Sequence, residues 1–308
     1  MMPRRWSRRY IHLTRASIGF FLTFFFTPVI LSAPKELMKG RSEGQAFVVE
    51  QLAQISGLMW SFDFLPDGTI VMTERSGKLM LFDPKTEKVT PVAGAPEVWE
   101  KGQGGLLEVR VHPGYAKTKW IYLTYSEPAQ EGGARTALGR GKLEGAKLVG
   151  FERLFRAEPA TKEAIHFGSR IEFDGKGGLF MTSGERNERK WVQDLGYHTG
   201  KVLRLDENGK ALLDNPFSKV SKAKPEIYSS GHRNQQGLAY DVKTGDLWEA
   251  EMGPRGGDEL NLIKPGANYG WPVVGFGVNY RTGAAIHVGT HREGMAQPVH
   301  VWVPSIAT

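Results

Sequence analysis

The sequence predicts an all-β chain of repeated antiparallel sheets, a β-propeller, and three observations predict it. Four segments share one layout, an apolar strand, a polar turn and a second strand ending near Thr or Glu: residues 62–73, 109–124, 171–182 and 238–249. Their second strands begin near Ile70, Ile121, Leu179 and Leu247, at intervals of 51, 58 and 68 residues. That is somewhat longer than the roughly 40–50 residues of common blade repeats, which implies loop insertions. Thirty-eight glycines supply tight turns, and no run of helical period follows the N-terminal segment. A β-sandwich would also be rich in strands, but its strands would not recur as similar groups.

Taken in chain order, the first 33 residues stand apart. Arg4, Arg5, Arg8, Arg9 and Arg15 precede an uncharged run, Ala16 to Ala33, that contains Phe20-Phe21-Leu22 and Phe24-Phe25-Phe26. A basic head on an apolar stretch is the pattern of an export signal, and Ser7-Arg8-Arg9 hints at the twin-arginine type. The run is also just long enough to serve as an uncleaved membrane anchor. Residues 1–33 are therefore expected to be a signal peptide or N-terminal anchor, and residues 34–308 one propeller domain in the periplasm or outside the cell. Within that domain, residues 77–83 and 200–206 repeat as third strands after the first and third groups. Trp60, Trp120 and Trp248 read as packing residues between blades.

Composition excludes several functions. The formal charge is +7, but the first 33 residues carry five arginines and no acid, which leaves 35 basic against 33 acidic side chains. The near-neutral body argues against nucleic-acid binding. There is no cysteine, so disulfides, thiolate chemistry, iron–sulfur clusters and covalent haem attachment are excluded. A metal must be held by oxygen or imidazole. Gly102-Gln103-Gly104-Gly105 has neither the spacing nor the following helix of a dinucleotide site.

The chemistry-bearing residues gather in two stretches, Gly231 to Gly237 and Glu251 to Glu259. Arg233 offers a rigid fork for carboxylates, Asn234, Gln235 and Gln236 offer amides, and a Gly-Pro turn followed by acids could offer oxygens to a hard cation. Each residue also has an ordinary reading. His166 alone reads as a hydrogen-bonded histidine beside a buried strand, Gln103 as a turn residue among glycines, Arg233 as half of a surface ion pair, and Asp258-Glu259 as a solvated pair.

Eight anchors in one order change that weighting: residues 102–107, 166–170, 193–195, 214–217, the two stretches above, and Asn268-Tyr269-Gly270-Trp271-Pro272 with Pro304-Ser305-Ile306-Ala307. From about Gly57 to Ala307 the chain resembles the soluble pyrroloquinoline-quinone (PQQ)-dependent sugar dehydrogenases, the glucose/sorbosone dehydrogenase family, and its aldose sugar dehydrogenase branch most of all. The resemblance implies a six-bladed propeller with the cofactor over the central channel. It implies His166 as the general base that takes a proton from the sugar hydroxyl. Gln103, Arg233, Asn234 and Gln236 would be cofactor-binding residues, with Asp258 in support. The carbonyls of Gly253 and Pro254 would bind Ca²⁺ beside the quinone, and Glu259 with the main chain at Tyr269 would hold a second, structural Ca²⁺. The implied reaction oxidises an aldose at C1 to a lactone, electrons then passing to an acceptor the sequence does not specify.

The pattern departs in places. Met252 stands where the family has His or another polar residue, Gln235 replaces Pro, and Glu185-Arg186 replaces Asp-Arg. The family also continues past the Pro304–Ala307 turn, so a chain read as ending at Thr308 is expected to lack its last blade or blades and further Lys and Arg that clamp the quinone. Weak cofactor affinity and low stability would follow. The competing functions are a non-catalytic or inactive truncated propeller and a calcium-dependent propeller hydrolase such as a lactonase.

Overall fold

The computed structural model describes residues 35–306. The N-terminal segment read as a leader or anchor lies outside them, and no helix among the described residues is long and apolar enough to cross a membrane. Strands β1 (Lys35–Ser42) and β2 (Gln45–Gln51) form a separate antiparallel hairpin. Four four-stranded antiparallel sheets follow, each wound in chain order. The first is β3 (Met59–Phe64), β4 (Ile70–Glu74), β5 (Lys78–Asp83) and β6 (Lys88–Val92). The second is β7 (Leu106–Val111), β8 (Trp120–Pro128), β9 (Ala134–Glu144) and β10 (Lys147–Arg156). The third is β11 (Gly168–Phe173), β12 (Gly178–Ser183), β13 (Lys201–Asp206) and β14 (Ile227–Ser230). The fourth is β15 (Gln235–Asp241), β16 (Asp246–Glu251), β17 (Asp258–Ile263) and β18 (His300–Trp302). Two one-turn helices, α1 (Tyr115–Thr118) and α2 (Arg189–Val192), interrupt loops.

Among the described residues this is a propeller-like arrangement of four blades. The first strand of each sheet packs against the first strand of the next: β3 on β7, β7 on β11, β11 on β15. The four repeated segments are the β3/β4, β7/β8, β11/β12 and β15/β16 pairs, and the two third-strand repeats are β5 and β13.

Packing explains which strands alternate and which do not. Between the first and second sheets lies a core of Val71, Leu79, Leu106, Val109, Ile121 and Leu123. Between the second and third lie Tyr122, Leu138, Ile171, Leu179, Met181 and Leu203, and Phe180, Val202, Leu247 and Ile263 continue toward the fourth. A strand covered on both faces is apolar throughout rather than alternating, and all six residues of β12 are buried. The first sheet has a neighbour on one side only among the described residues, and Phe62 and Phe64 on β3 are 61% and 58% exposed. They border an apolar groove of about 580 Å³.

The β9–β10 hairpin was not legible in the sequence. Gly139 and Gly141 in β9 leave room for side chains of the partner strand: a Cβ on Gly139 would sit 2.4 Å from Phe151 and one on Gly141 2.8 Å from Leu148. A glycine inside a strand marks such a close approach.

Candidate active site

In an antiparallel blade the entrance to the first strand and the exit from the second lie at the same end. The loops at that end are residues 102–105 before β7, 163–167 before β11, 184–188 after β12, 231–234 before β15 and 252–257 after β16. They carry every candidate site residue except Gln236, the second residue of β15, and Glu259 and Tyr269, which follow at the start of β17 and in the loop after it.

His166 is the most fully constrained of them. It is 8% exposed and its backbone lies in the left-handed region at φ +55°, which costs a non-glycine residue roughly 1–2 kcal/mol. Its N–H donates to Gln103 Oε1 at 2.7 Å, and Nδ1 is hydrogen-bonded to Oε1 of Glu185. A carboxylate accepts, so Nδ1 carries the proton and the Nε2 lone pair is left as the basic position. Burial pushes the imidazole pKa below its ordinary value, with the Glu185 hydrogen bond opposing and the positive charge of Arg233 assisting. Glu185 is 1% exposed.

The Gln103 loop is held in turn by backbone that only glycine permits. Gly105 has φ +154°, and a Cβ there would lie 1.9 Å from the Arg75 carbonyl, which accepts the Leu106 N–H at 3.0 Å. Arg75 Nη1 donates back to the Gly102 carbonyl.

Two cavities meet at this end, and Met252 lines both. One, of about 220 Å³, is lined by Trp60, Arg75, Gln103, Phe167, Asn234 and Gln236 among others; His166 adjoins it through Gln103 and Phe167. Asn234 Oδ1 accepts from Gly168 N at 3.3 Å and from Gln236 Nε2 at 3.2 Å, and the Gln236 carbonyl accepts from Arg170 Nε at 2.6 Å. Arg170 Nη1 pairs with the buried Glu108 at 2.6 Å, and its guanidinium lies 4.4 Å from the Trp60 ring centre. Gln236 and Trp60 are thus braced by Arg170.

The other cavity holds about 20 Å³ and is lined by Arg233, Glu251, Gly253, Pro254, Glu259, Tyr269 and Trp271 among others. That is room for about one water or ion. Arg233 Nη1 donates to the Met252 carbonyl at 2.7 Å, its N–H to Glu251, and its guanidinium lies 5.3 Å from the Trp271 ring centre. Behind this cavity Glu249, Glu251 and Glu259 crowd around Asn261, whose amide donates to Glu249 at 3.0 Å. His232 Nδ1 lies 3.3 Å from Glu251. Burial and mutual repulsion push Glu259 up to about 8 and Glu249 well above the usual carboxylate range.

The arrangement places Gln103, Asn234 and Gln236 on the larger cavity, and Arg233, Gly253, Pro254, Glu259 and Tyr269 on the smaller. Arg233 and Asn234, adjacent in sequence, therefore face different cavities. Three expectations change. Trp60, expected to serve packing alone, lines the larger cavity, because sheet one presents its first strand there. Asp258 is fully buried, not solvated, since it accepts from Gly253 N at 2.9 Å and from Ser305 Oγ at 2.6 Å. Met252, noted only as a departure, is the wall between the cavities. Sequence reasoning missed Glu185 as the partner of His166 and Arg75 as a cavity residue. Glu185 had a signal, since a carboxylate in the loop after the second strand lies at the same end as a histidine before the first strand. Arg75 had none beyond its place after β4.

The residues fit the quinone and cation that the resemblance implies. Arg75 Nε and Arg233 Nε are buried without a hydrogen-bond partner, donors suited to an acceptor-rich polyanion. Glu249 Oε1 and Asn261 Oδ1 are buried acceptors without partners, beside a cavity the size of one ion. The Pro254 carbonyl accepts from Val278 N at 2.9 Å and keeps a second lone pair for a hard cation.

Comparison with known proteins agrees with this geometry. The profile of the Glucose / Sorbosone dehydrogenase family matches residues 57–308. Aldose sugar dehydrogenase YliI of Escherichia coli strain K12 is 43% identical over 253 residues, covering 80% of this chain and 68% of that protein. Quinoprotein glucose dehydrogenase B of Acinetobacter calcoaceticus is 32% identical over 273 residues, covering 78% of this chain and only 55% of that protein. Among solved structures, the apo form of the soluble aldose sugar dehydrogenase from Escherichia coli superposes with a TM-score of 0.78 at 41% identity, over 81% of this chain and 73% of that one. The PQQ-bound aldose sugar dehydrogenase from Streptomyces coelicolor gives 0.68 at 32% identity, over 82% and 70%. On the profile match and on these identities, the chain belongs to the Glucose / Sorbosone dehydrogenase family.

Proposed function

We propose that this protein is a PQQ- and calcium-dependent dehydrogenase that oxidises an aldose at C1 to the lactone, outside the cytoplasm, with His166 as the base. The observation that carries the reading is the His166–Glu185 pair, tied by Gln103 to a cavity lined with Asn234 and Gln236. Family membership and the PQQ-bound relative support the cofactor. The basic, apolar N-terminal segment supports export, and a ring of six blades is the architecture we assign to the whole protein.

When bound, the quinone supplies a two-electron hydride acceptor and calcium supplies Lewis-acid polarisation of its carbonyl. The chain's residues do the rest. His166 takes the proton of the anomeric hydroxyl at Nε2 as the C1–H bond gives up its hydride, leaving a C=O double bond. Glu185 accepts from Nδ1, fixes the tautomer and stabilises the imidazolium that forms. Gln103 orients the loop that carries His166, and its amide is placed to meet a sugar hydroxyl or a quinone oxygen. Arg233 offsets the negative charge that builds on the acceptor. Gly253 and Pro254 would hold one calcium by their carbonyls, and Glu259 with the Tyr269 main chain the second.

The test is titration of purified protein with PQQ, with and without Ca²⁺, followed by addition of an aldose while the quinone absorption is read. Calcium-dependent stoichiometric uptake and sugar-driven bleaching are expected. Uptake without reduction by any aldose would leave a cofactor-binding protein that is not a sugar dehydrogenase, and no uptake would favour an inactive propeller.

A further inference from the structure

The loop that presents His166 has no regular structure of its own, and one side chain encloses it. Arg186 Nε donates to the Ile165 carbonyl at 2.9 Å, Nη1 to the Ala134 carbonyl at 3.1 Å and Nη2 to the Glu163 carbonyl. Its main-chain N–H donates to the His166 carbonyl at 3.3 Å. Its guanidinium lies 3.5 Å from the centre of the Phe167 ring. The carbonyls of residues 163 and 165, the main chain of 166 and the ring of 167 are thus all held by one residue, which also ties them to the start of β9 in the neighbouring blade.

Arg186 is 2% exposed, and its side-chain hydrogen bonds all go to main-chain carbonyls. Burial of a guanidinium without a hydrogen-bonded carboxylate is unfavourable, and it pushes the group down to about 9. A loop prop alone would not need that charge. The charged groups that act on His166 are Glu185 and Arg186 from the loop after β12 and Arg233 from the loop before β15. Glu185 favours the imidazolium; both arginines oppose it. Arg186 therefore sits where it can hold the imidazole in place and keep it neutral between turnovers.

We propose that Arg186 is a positioning residue for the dehydrogenation, fixing the main chain on both sides of His166 and counterbalancing the charge of Glu185. The proposal rests on the reading of His166 as the base, and its test is chosen to separate the two. Two variants of the full chain are compared with wild type, Arg186→Met, which removes fork and charge, and Arg186→Lys, which keeps the charge and loses the fork. The first readout is the pH titration of the His166 imidazole in ¹⁵N-labelled apoprotein, followed by NMR, which needs neither quinone nor sugar. In Arg186→Met the midpoint is expected to move up. In Arg186→Lys it is expected to stay near the wild-type value.

The second readout is steady-state kinetics. Turnover should fall about 10²-fold in both variants, the scale of a misplaced reacting group, while KM and PQQ uptake stay within about threefold. Should Arg186→Met not fold, Arg186→Gln, which also removes the charge and keeps a hydrogen-bonding amide, takes its place in the titration and is expected to move the midpoint up. An Arg186→Met protein that folds and whose His166 titrates as in wild type overturns the proposal whatever its activity, because a merely structural prop would lower turnover without moving that midpoint. So would an Arg186→Lys protein with wild-type kcat. A wild-type protein inert toward every aldose, with the NMR shift still present, would count against the dehydrogenase reading and not against the coupling.

Discussion

The two cavities that share Met252 are built on opposite plans. On the His166 side the polar groups largely satisfy one another: Gln103 with the His166 N–H, Glu185 with Nδ1, and Arg186 with three carbonyls. On the Gly253–Pro254 side, three glutamates crowd one asparagine, and Glu249 Oε1, Asn261 Oδ1 and Arg233 Nε are buried without partners. Groups that must act at the moment of reaction are pre-paired, which costs no reorganisation then. The His166 side is paired around the imidazole, with Arg75 Nε and Glu185 Oε2 the groups left unpartnered there. The other side leaves both donors and acceptors open, as the cation and polyanion proposed above would require.

The comparison breaks most visibly at His166. His166→Asn should lower turnover by about 10²–10⁴-fold, the range for loss of a general base, with PQQ uptake unchanged within a few-fold, checked by quinone titration and single-turnover reduction. Glu185→Gln keeps a hydrogen-bonding group but loses the carboxylate. A fall in kcat of about 10²-fold is expected, together with a lower His166 titration midpoint, since Glu185 is what raises it. Burial lowers that midpoint from the ordinary histidine value, which favours the neutral imidazole. In wild type the acid limb of kcat/KM should therefore lie below the ordinary histidine value.

Away from either cavity, Leu123→Ala in the core between the first two sheets should destabilise by about 2–5 kcal/mol, read by urea unfolding. Phe62→Ser on the exposed face of β3 should cost much less.

The smallest effect sharpens the other side of the comparison. Between about pH 4.5 and 8 folded Glu259 keeps a proton that the unfolded chain has released, so its ionisation makes stability fall as pH rises through that window. Calcium-free protein should melt lower at about pH 8 than at about pH 5.5. Saturating Ca²⁺, by neutralising the carboxylates, should raise Tm more at the higher pH, and about 100-fold excess over Kd corresponds to ~2.7 kcal/mol. Glu259→Gln should reduce that pH difference, and Glu249, which is also pushed up by burial, accounts for what remains.

Much of this was legible in the sequence because it is carried by local pattern. The β3/β4, β7/β8, β11/β12 and β15/β16 pairs announce themselves as apolar runs broken by polar turns, and the motifs around Gln103, His166 and Arg233 name most of the site. What stayed hidden depends on which surfaces meet. The place of Gly139 and Gly141 inside β9 is explained only by Phe151 and Leu148 lying over them. Asp258 reads as solvated until Gly253 and Ser305 close over it. Trp60 reads as packing until it is seen to line the larger cavity, with Arg170 lying on its ring. The division of Arg233 and Asn234 between two cavities is set by the course of the loop before β15, and no composition or motif reports it.

The proposed transfer of a sugar's C1 hydride as His166 takes the hydroxyl proton can be followed by single-turnover reduction of the PQQ- and Ca²⁺-loaded protein with an aldose and with the same sugar deuterated at C1. Rapid reduction with a primary isotope effect is expected, and a rate at least about 10²-fold lower in His166→Asn at equal PQQ loading. Reduction at the wild-type rate in His166→Asn, or no reduction of the loaded wild-type protein by any aldose, would contradict it.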